Sequence, residues 1–335
     1  MKTIVLISVS VLFLACSSIP KSSLIPTLIE KISIAPGPED MVLDTFFFQP
    51  RLIISCNARR STETPFSEIM QYNLITGEKS ILKRANDTNK NFKPHGIDIR
   101  KIGKEIWLYV ISHNDAENKQ EIITYKVLEN HLEYIQTYTH PLIISPNDVT
   151  IAPDASFYIT NDAKKRNNML EKILAKRSST IIHMHTQLKG ETKIATQNLA
   201  YANGILCLDN TVYISTTQRK ELNEYNIQSN GTLLKNKNLA RIKGMDNITL
   251  HNDWLIVPAH LKFVKFIKHV SKTENKSPSV VYAINRKTGE QKVLFSDDGK
   301  KISAASTALI YNGHLYISQV FDDFILKIKL NDEDL

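Results

Sequence analysis

The sequence predicts an all-β chain folded as a six-bladed β-propeller, and three observations lead to this prediction. Short runs of alternating apolar and polar residues, separated by polar turns, follow one another from about residue 40 to the C-terminus, as β-strands do. A short polar motif opens each group of such runs. The six openings recur at steps of 43 to 60 residues, the period of a four-stranded blade. A pair of β-sandwiches would also give short strands, but it leaves the recurring motif unexplained.

The N-terminal residues 1–15 are predicted to be a signal peptide, because Lys2 precedes an apolar run over residues 4–14 that is too short to span a bilayer permanently. The run 13–16 resembles a bacterial lipobox, so we expect cleavage before Cys16 and lipid on its sulfur. Residues 16–28 then form a lipid-anchored tether, and residues 29–335 form the propeller domain. We therefore expect an exported lipoprotein of a bacterial cell envelope; with an ordinary signal peptide the protein would be periplasmic or secreted.

The strands of the repeats follow in order along the chain. The predicted first strands cover residues 38–43, 94–99, 146–151, 202–206, 245–250 and 305–310. The second repeat is the clearest, since further alternating runs follow at residues 106–111, 121–126 and 132–137. The last repeat has only three evident strands. Residues 29–34 are predicted to supply its outer strand, because an open ring would leave two unpaired edges.

Composition and charge exclude some classes of function. With 42% hydrophobic and 23% charged residues, the chain has the composition of an ordinary globular protein. Its net charge of +8 suggests nucleic acid, but the basic residues are spread out, and no zinc-finger spacing or aromatic RNA-binding signature occurs. We expect no nucleic-acid partner; positive charge beside anionic lipid suits an anchored protein better.

The six openings predict a calcium site. The first strand of each propeller blade lines the central axis, and all these strands run the same way, so equivalent openings meet at one end of the tunnel. Here these positions carry hard oxygen donors, namely Glu39, Asp40, Asn147, Asp148, Asn203, Asp246 and Asn247. Each alone would be an ordinary turn former, but their recurrence at one phase of the repeat favours calcium, which accepts six to eight oxygen ligands. The expected fold is thus a propeller with a central calcium-binding tunnel.

The opening motifs resemble those of a known family. They are Gly37-Pro38-Glu39-Asp40, Pro94-His95-Gly96-Ile97, Pro146-Asn147-Asp148, Ala202-Asn203-Gly204-Ile205, Asp246-Asn247-Ile248 and Ser306-Thr307-Ala308. They look like the motifs of the paraoxonase/arylesterase family, part of the six-bladed calcium-dependent lactonase group that includes gluconolactonases. The resemblance implies two calcium ions: a catalytic ion held by Glu39, Asn147, Asn203, Asp246 and Asn247, and a structural ion held by Asp40, the backbone carbonyl of Ile97 and Asp148.

The resemblance also implies calcium-dependent hydrolysis of lactones or aryl esters, with calcium polarising the carbonyl group. Water is the expected nucleophile, because the chain lacks a Gly-x-Ser-x-Gly elbow. His95 and His113 match the family's proposed dyad, in which the first takes a proton from water and the second relays it. His260 matches a pocket position. In the alternative, His95 only shapes the pocket and a metal-bound carboxylate, Glu39 or Asp246, activates the water.

Two basic segments are predicted to form amphipathic helices. Residues 163–178 place Met169, Leu170, Ile173 and Leu174 on one helical face, and the corresponding insertion in the family forms part of an active-site lid. Residues 261–272 place Phe263, Phe266, Ile267 and Val270 at helical spacing. The second helix would either lie at a membrane surface or pack on top of the propeller.

Two other functions remain open from the sequence. A non-catalytic propeller would use calcium for rigidity and its surface to bind a partner, since fold does not fix function. A sugar lactone would be a different substrate for the same enzyme, although apolar residues around the expected tunnel mouth argue against it. We expect the small-molecule ester or lactone hydrolase.

Overall fold

The computed structural model describes residues 19–22, 28–60, 63–166, 168–186 and 191–331. These residues are mostly β-strand and form six sheets arranged as a β-propeller, so the predicted fold class is confirmed. The predicted signal peptide and the lipidation site Cys16 lie outside the described residues. Within the described ranges, no helix has the length and apolar character that crossing a membrane requires.

Each blade is built on an antiparallel meander of consecutive strands. The chain starts with β1 (Ile29–Ser33), and blade one follows as β2 (Pro38–Asp44), β3 (Arg51–Asn57), β4 (Ser67–Asn73) and β5 (Lys79–Ile81). Blade two comprises β6 (Lys83–Ala85), β7 (Pro94–Ile102), β8 (Glu105–Asn114), β9 (Lys119–Val127) and β10 (His131–Tyr138). Blade three comprises β11 (Pro146–Ile151), β12 (Phe157–Asn161), helix α1 (Met169–Ile173), β13 (Ser179–Met184) and β14 (Thr192–Leu199).

The second half of the chain repeats this plan. Blade four comprises β15 (Ala202–Leu208), β16 (Thr211–Thr216), β17 (Glu221–Ile227) and β18 (Leu233–Ala240). Blade five comprises β19 (Thr249–His251), β20 (Trp254–Ala259), helix α2 (Phe263–Ser271), β21 (Ser279–Asn285) and β22 (Gln291–Asp297). Blade six comprises β23 (Ala305–Tyr311), β24 (His314–Gln319) and β25 (Phe324–Lys329), with β1 as its fourth strand.

The ring closes between the two ends of the chain. Strand β1 pairs antiparallel with β25, from Ile29 opposite Ile328 to Ser33 opposite Phe324. The predicted closure by residues 29–34 is therefore confirmed. Ile32 is buried in an apolar cluster that also contains Leu52 of blade one. Closure thus joins blade six to blade one through packing as well as through hydrogen bonds, and it removes the exposed edge that an open blade would leave.

Blade two has a fifth strand that the four-stranded repeat did not predict. Strand β6 pairs in parallel with β10, with Lys83 opposite His131 and Ala85 opposite Glu133. The chain passes this outer edge on its way from blade one to the inner strand of blade two, and its backbone hydrogen-bonds there for three residues. The short strand shields an edge that would otherwise be open.

The fifth opening differs from the prediction that residues 245–250 form a strand. Strand β19 begins only at Thr249, and Met245 makes an isolated bridge with Ala259. Between them the backbone N–H of Asp246 donates to the carbonyl of Pro258, and that of Asn247 donates to the carbonyl of Ser306 in blade six. The ladder is interrupted here because the N–H of Asn247 bonds to blade six and not to the neighbouring strand β20.

Candidate active site

Register changes in the inner strands put the opening motifs on the tunnel. Five of the six inner strands shift register at their opening, and the shifts fall between Pro38 and Asp40, Pro94 and Ile97, Pro146 and Val149, Ala202 and Ile205, and Ala305 and Ala308. Such β-bulges turn side chains away from strict alternation. As a result the consecutive residues Glu39 and Asp40 are both buried, with 3% and 4% of their surface exposed.

Hydrogen bonds connect these openings from blade to blade. The backbone N–H groups of Ile97, Ile151 and Ile205 donate to carboxylate oxygens of the preceding blade at 2.7, 2.7 and 2.8 Å. The accepting side chains are Asp40, Asp98 and Asp148. In the opposite direction, Thr307 of blade six donates to Asp40 Oδ1 at 2.6 Å and accepts a hydrogen bond from Asn247 Nδ2 at 2.8 Å. The predicted site residues of five blades are therefore held around one axis.

Two glycines allow this close approach. A Cβ on Gly96 would lie 2.5 Å from the carbonyl oxygen of Asn147, and one on Gly204 would lie 2.5 Å from the carbonyl oxygen of Asp246 and 2.7 Å from Asn247 Cα. Any side chain there would push the neighbouring opening off the axis. Only glycine permits two backbones to pack this closely.

Three asparagine amides are oriented by neighbouring side chains. Each amide nitrogen donates to an oxygen of another strand or loop, which directs the amide oxygen the other way. The pairs are Asn147 with Asp162, Asn203 with Thr217 and Asn247 with Thr307, at N···O distances of 3.5, 3.1 and 2.8 Å. The amide oxygens are therefore fixed in direction by the protein itself.

Four buried oxygens at this position have no hydrogen-bond partner among the described residues. They are Glu39 Oε2, Asn147 Oδ1, Asn203 Oδ1 and Asn247 Oδ1. Leaving one buried polar atom unpaired costs about 1–3 kcal/mol, so four such oxygens together favour a bound ligand. All four belong to the predicted set for the catalytic ion. The fifth member, Asp246, accepts a hydrogen bond from His260 Nε2 through Oδ2 at 2.7 Å.

The donor set fits calcium in chemistry. Two carboxylates, Glu39 and Asp246, and three amide oxygens are the oxygen ligands that calcium prefers. Within the described part of the chain, no group of three or more His, Cys, Asp and Glu side chains is arranged to hold a metal ion. A cation here would therefore depend on the amide oxygens in addition to the carboxylates.

Burial raises the pKa of carboxyl groups in and beside this cluster. Burial raises the pKa of Glu39 to about 8, although the Arg59 guanidinium, 3.8 Å from Glu39 Oε2, lowers it. Burial likewise raises the pKa of Asp40 to about 7. The pKa of Asp148 is raised well above its usual value by burial and by Asp40. A bound cation would oppose these shifts, because nearby positive charge favours the ionised carboxylate.

The residues predicted for the second ion lie together at another position along the tunnel. Asp40, Ile97 and Asp148 line one cavity of about 250 Å³. Both carboxylate oxygens of each aspartate already accept hydrogen bonds, for example Asp148 Oδ1 from the N–H of Val149 at 2.8 Å. The case for a cation is therefore stronger at the four unpaired oxygens than here.

The two predicted catalytic histidines lie together at the tunnel mouth. His95 and His113 line a cavity of about 400 Å³, and their ring centroids are 4.9 Å apart with the rings at 69°. His95 Nε2 lies 3.6 Å from Glu39 Oε1, and His113 Nδ1 lies 2.6 Å from Gln120 Oε1. Burial lowers the pKa of both imidazoles well below the usual value, so both are neutral at pH 7.

Arg59 is a member of the site that the sequence did not reveal. Its Nη2 lies 3.3 Å from His95 Nδ1, and its Nη1 donates to three backbone carbonyls, including that of Gly37 at 3.2 Å. A guanidinium can only donate, so His95 Nδ1 accepts and the proton of this imidazole is on Nε2. Arg59 lies just after the second strand of blade one, as Asp115 lies just after the second strand of blade two, and both line the mouth cavity. The position of Arg59 at the end of a second strand is the feature of the sequence that could have indicated its place in the site.

His113 has the opposite tautomer. The amide oxygen of Gln120 accepts, so His113 Nδ1 donates to it and Nε2 carries the lone pair. Among the described residues, this buried Nε2 has no hydrogen-bond partner. The site thus presents a donor nitrogen on His95 toward Glu39 and a free acceptor nitrogen on His113.

The two helices lie beside this mouth. In α2, Phe263 is buried and the Phe266 ring packs on His260, with ring centroids 4.6 Å apart. This helix therefore packs on the propeller, which is one of the two arrangements that the sequence left open, while Val264 and Val270 stay exposed. Helix α1 is shorter than the predicted segment 163–178, and its Leu170 and Ile173 are exposed, as is the neighbouring Leu174.

Substituting Gly204 with alanine is expected to displace Asp246 and Asn247, because its Cβ would overlap their backbone. We expect calcium affinity, measured by calorimetric titration, to fall by at least about tenfold, equivalent to about 1.4 kcal/mol. Gly103→Ala is the control. Gly103 has φ +60°, and no atom lies within 4 Å of the position that a Cβ would take there, so alanine should cost about 1–2 kcal/mol of stability and leave calcium affinity intact. Equal losses of affinity in both variants would contradict the positioning role.

Comparisons with known proteins place this chain in a family. A sequence model of the family described as Arylesterase matches residues 72–326 of this chain. Serum paraoxonase/arylesterase 1 of Rattus norvegicus is 28% identical over 242 residues, which cover 69% of this chain and 67% of the relative. Serum paraoxonase/lactonase 3 of Homo sapiens is 26% identical over 242 residues with the same coverage. Among solved structures, a gluconolactonase from Xanthomonas campestris has a TM-score of 0.58 and 12% identity, over 90% of this chain and 89% of its own. This last likeness concerns the fold.

Proposed function

Because this chain belongs to the arylesterase family, we propose that it is a calcium-dependent hydrolase of lactones, aryl esters or both. The observation that supports calcium is the cluster of four unpaired buried oxygens, which come from blades one, three, four and five. The cluster lies beside a cavity lined by His95 and His113, and imidazole is the side chain that most often transfers protons in catalysis. The residues proposed to bind the cation and those proposed to transfer protons therefore lie near one another.

The proposed chemistry is addition of water to the carbonyl carbon of the substrate, followed by cleavage of the acyl–oxygen bond. Calcium bound by Glu39, Asn147, Asn203, Asp246 and Asn247 would supply a Lewis acid that polarises this carbonyl. The protein's own groups move the protons. The alcohol oxygen that leaves takes up one proton, and the carboxylic acid product releases another to solvent.

We assign proton transfer to the His95–His113 dyad. His113 Nε2 has the free lone pair, and His95 Nε2–H faces Glu39. For His95 itself to accept a proton from water, Arg59 has to release its Nδ1 or the ring has to turn over. Which of the two histidines takes the proton from water is therefore decided by substituting each of them.

A second, structural calcium ion belongs to the same proposal, with Asp40, the Ile97 carbonyl and Asp148 as ligands. Its support is that these residues line one cavity. Export and anchoring through lipidated Cys16 in a bacterial envelope are also proposed, from the sequence alone. The described part of the tether runs along blade five, where Ser296 Oγ donates to the carbonyl of Pro20 at 2.6 Å.

Removal of calcium tests this function directly. Purified protein should hydrolyse phenyl acetate or members of a lactone panel, lose this activity in excess chelator, and recover it when calcium is restored. Magnesium should restore less, because its small octahedral shell suits this oxygen-rich set poorly. Activity that resists the chelator would contradict calcium dependence. Hydrolysis of neither class would favour the non-catalytic propeller that uses calcium for rigidity.

A further inference from the structure

Two adjoining cavities at the tunnel mouth carry more cations than carboxylates among their charged side chains. The mouth cavity of about 400 Å³ and a neighbouring cavity of about 840 Å³ share Asp115 and Arg166. The charged side chains that line the two are six cations, Arg59, Lys93, Lys119, Lys165, Arg166 and Lys172, and two carboxylates, Asp115 and Asp162. A cleft with such an excess of one sign attracts and orients ligands of the opposite sign.

Arg166 stands at the junction of the two cavities. Its Nε lies 3.4 Å from Asp115 Oδ1, and Lys93 Nζ lies 3.4 Å from Asp115 Oδ2. The Asp115 carboxylate therefore forms ion pairs with both Arg166 and Lys93. In the part of the chain that the structure describes, the two terminal nitrogens of Arg166 have no hydrogen-bond partner, and 23% of this side chain is exposed. The forked end of Arg166 is thus available to a ligand.

The charge of Arg166 also reaches the proposed dyad. After burial, Arg166 is the next cause that lowers the pKa of His113, and it contributes to the lowered pKa of His95 together with Arg59. Arg166 lines the same cavity as His95 and His113, so one ligand in that cavity can contact the dyad and Arg166 at once. Lys172 lies on the same wall but is engaged by Asp162, so it is less available.

We propose that Arg166 binds an anionic group of the substrate, and that the preferred substrates are lactones or esters that carry a carboxylate away from the scissile carbonyl. The scissile carbonyl then lies at the tunnel mouth, and the rest of the molecule extends past Arg166 into the larger cavity. A guanidinium recognises a carboxylate through two parallel hydrogen bonds. This inference rests on the proposed hydrolase function and adds its substrate class.

A matched pair of esters tests the proposal. The 4-nitrophenyl monoester of suberic acid carries a free carboxylate, and 4-nitrophenyl methyl suberate has the same length without the charge. We expect the wild-type protein to favour the anionic ester in kcat/KM by about tenfold. This factor corresponds to the lower end of the free energy of a charge-assisted hydrogen bond, as expected at a partly exposed site. Arg166→Gln should lower the ratio of anionic to neutral kcat/KM by about the same factor. High salt should reduce the preference in the wild type.

Lys164→Gln is the matched control, since Lys164 is an exposed cation two residues from Arg166 that lines neither cavity. It should leave the ratio within about twofold, as expected for a screened surface charge. An equal loss in both variants would show a general field effect and overturn the assignment of Arg166. A wild type that prefers the neutral ester would overturn the substrate class.

A binding measurement separates this proposal from the hydrolase function. Monomethyl suberate carries the same carboxylate and has no activated ester. Calorimetry should show that it binds the wild-type protein about tenfold more tightly than Arg166→Gln. If neither nitrophenyl ester is hydrolysed but this difference is found, the hydrolase function fails and the anion site stands. If the esters are hydrolysed but no difference is found, the anion site fails alone.

Discussion

Glu39→Gln is expected to abolish hydrolysis together with the response of the protein to calcium. The substitution keeps the shape of the side chain but removes the charge of a buried group whose Oε2 has no hydrogen-bond partner among the described residues. We expect kcat/KM at high calcium to fall by about 10³-fold, equivalent to about 4 kcal/mol of lost transition-state stabilisation. Steady-state kinetics and thermal unfolding with and without calcium are the measurements.

Thermal unfolding gives a readout that does not depend on activity. At a hundredfold excess over its Kd, calcium should stabilise the wild-type protein by about 2.7 kcal/mol, a rise in Tm of about 5 °C. This rise should disappear in Glu39→Gln. Glu117→Gln removes an acidic side chain that is about half exposed and should change neither measurement. A full calcium-dependent shift in Glu39→Gln would remove this residue from the ligand set.

The same experiment has an expected pH dependence. Burial raises the pKa of Glu39 to about 8 and of Asp40 to about 7 in the cation-free protein. A carboxyl group with a raised pKa stabilises the folded state at low pH and loses this contribution as pH rises through its folded-state pKa. The cation-free protein should therefore lose stability as pH rises from the ordinary carboxyl pKa of about 4 up to these raised values, and no further above them. Calcium must displace the protons, so its stabilising effect should grow over the same range.

His95→Gln is expected to lower kcat by about 10²–10⁴-fold, the usual contribution of a general acid or base. His113→Gln should cost at least as much, because His113 Nε2 is the free acceptor of the pair. Neither imidazole belongs to the proposed ligand set, so both variants should keep the calcium-dependent rise in Tm. Rates at saturating substrate and calcium, with thermal unfolding beside them, test this.

The control for the dyad is His314→Gln, a partly exposed imidazole on blade six whose ring centroid lies 6.3 Å from that of Tyr316. It should have the activity of the wild type. Full activity in His95→Gln together with loss in His113→Gln would leave His113 as the base and reduce His95 to a donor. Full activity in both variants would indicate that a carboxylate, Glu39 or Asp246, is the general base.

Most of the fold could be predicted from local patterns. The steps between openings and the alternation within each repeat predict blades, and the three-stranded last repeat predicts that residues 29–34 complete it, as the pairing of Ile29 with Ile328 confirms. These features repeat along the chain, so they appear in the sequence as a period. The short strand β6 and the late start of β19 have no such period, because each depends on where the chain crosses between blades.

The sequence by itself determined which residues open each blade, and therefore that oxygen donors such as Asn147, Asn203 and Asn247 gather on one axis. Only the tertiary structure decided which amide oxygens remain unpaired, that Arg59 fixes the tautomer of His95, 36 residues away, and that Arg166 stands where two cavities meet. The physical reason is that the period of a repeat sets the position of a backbone. The direction of a side chain depends on its partners, which here come from other blades and loops.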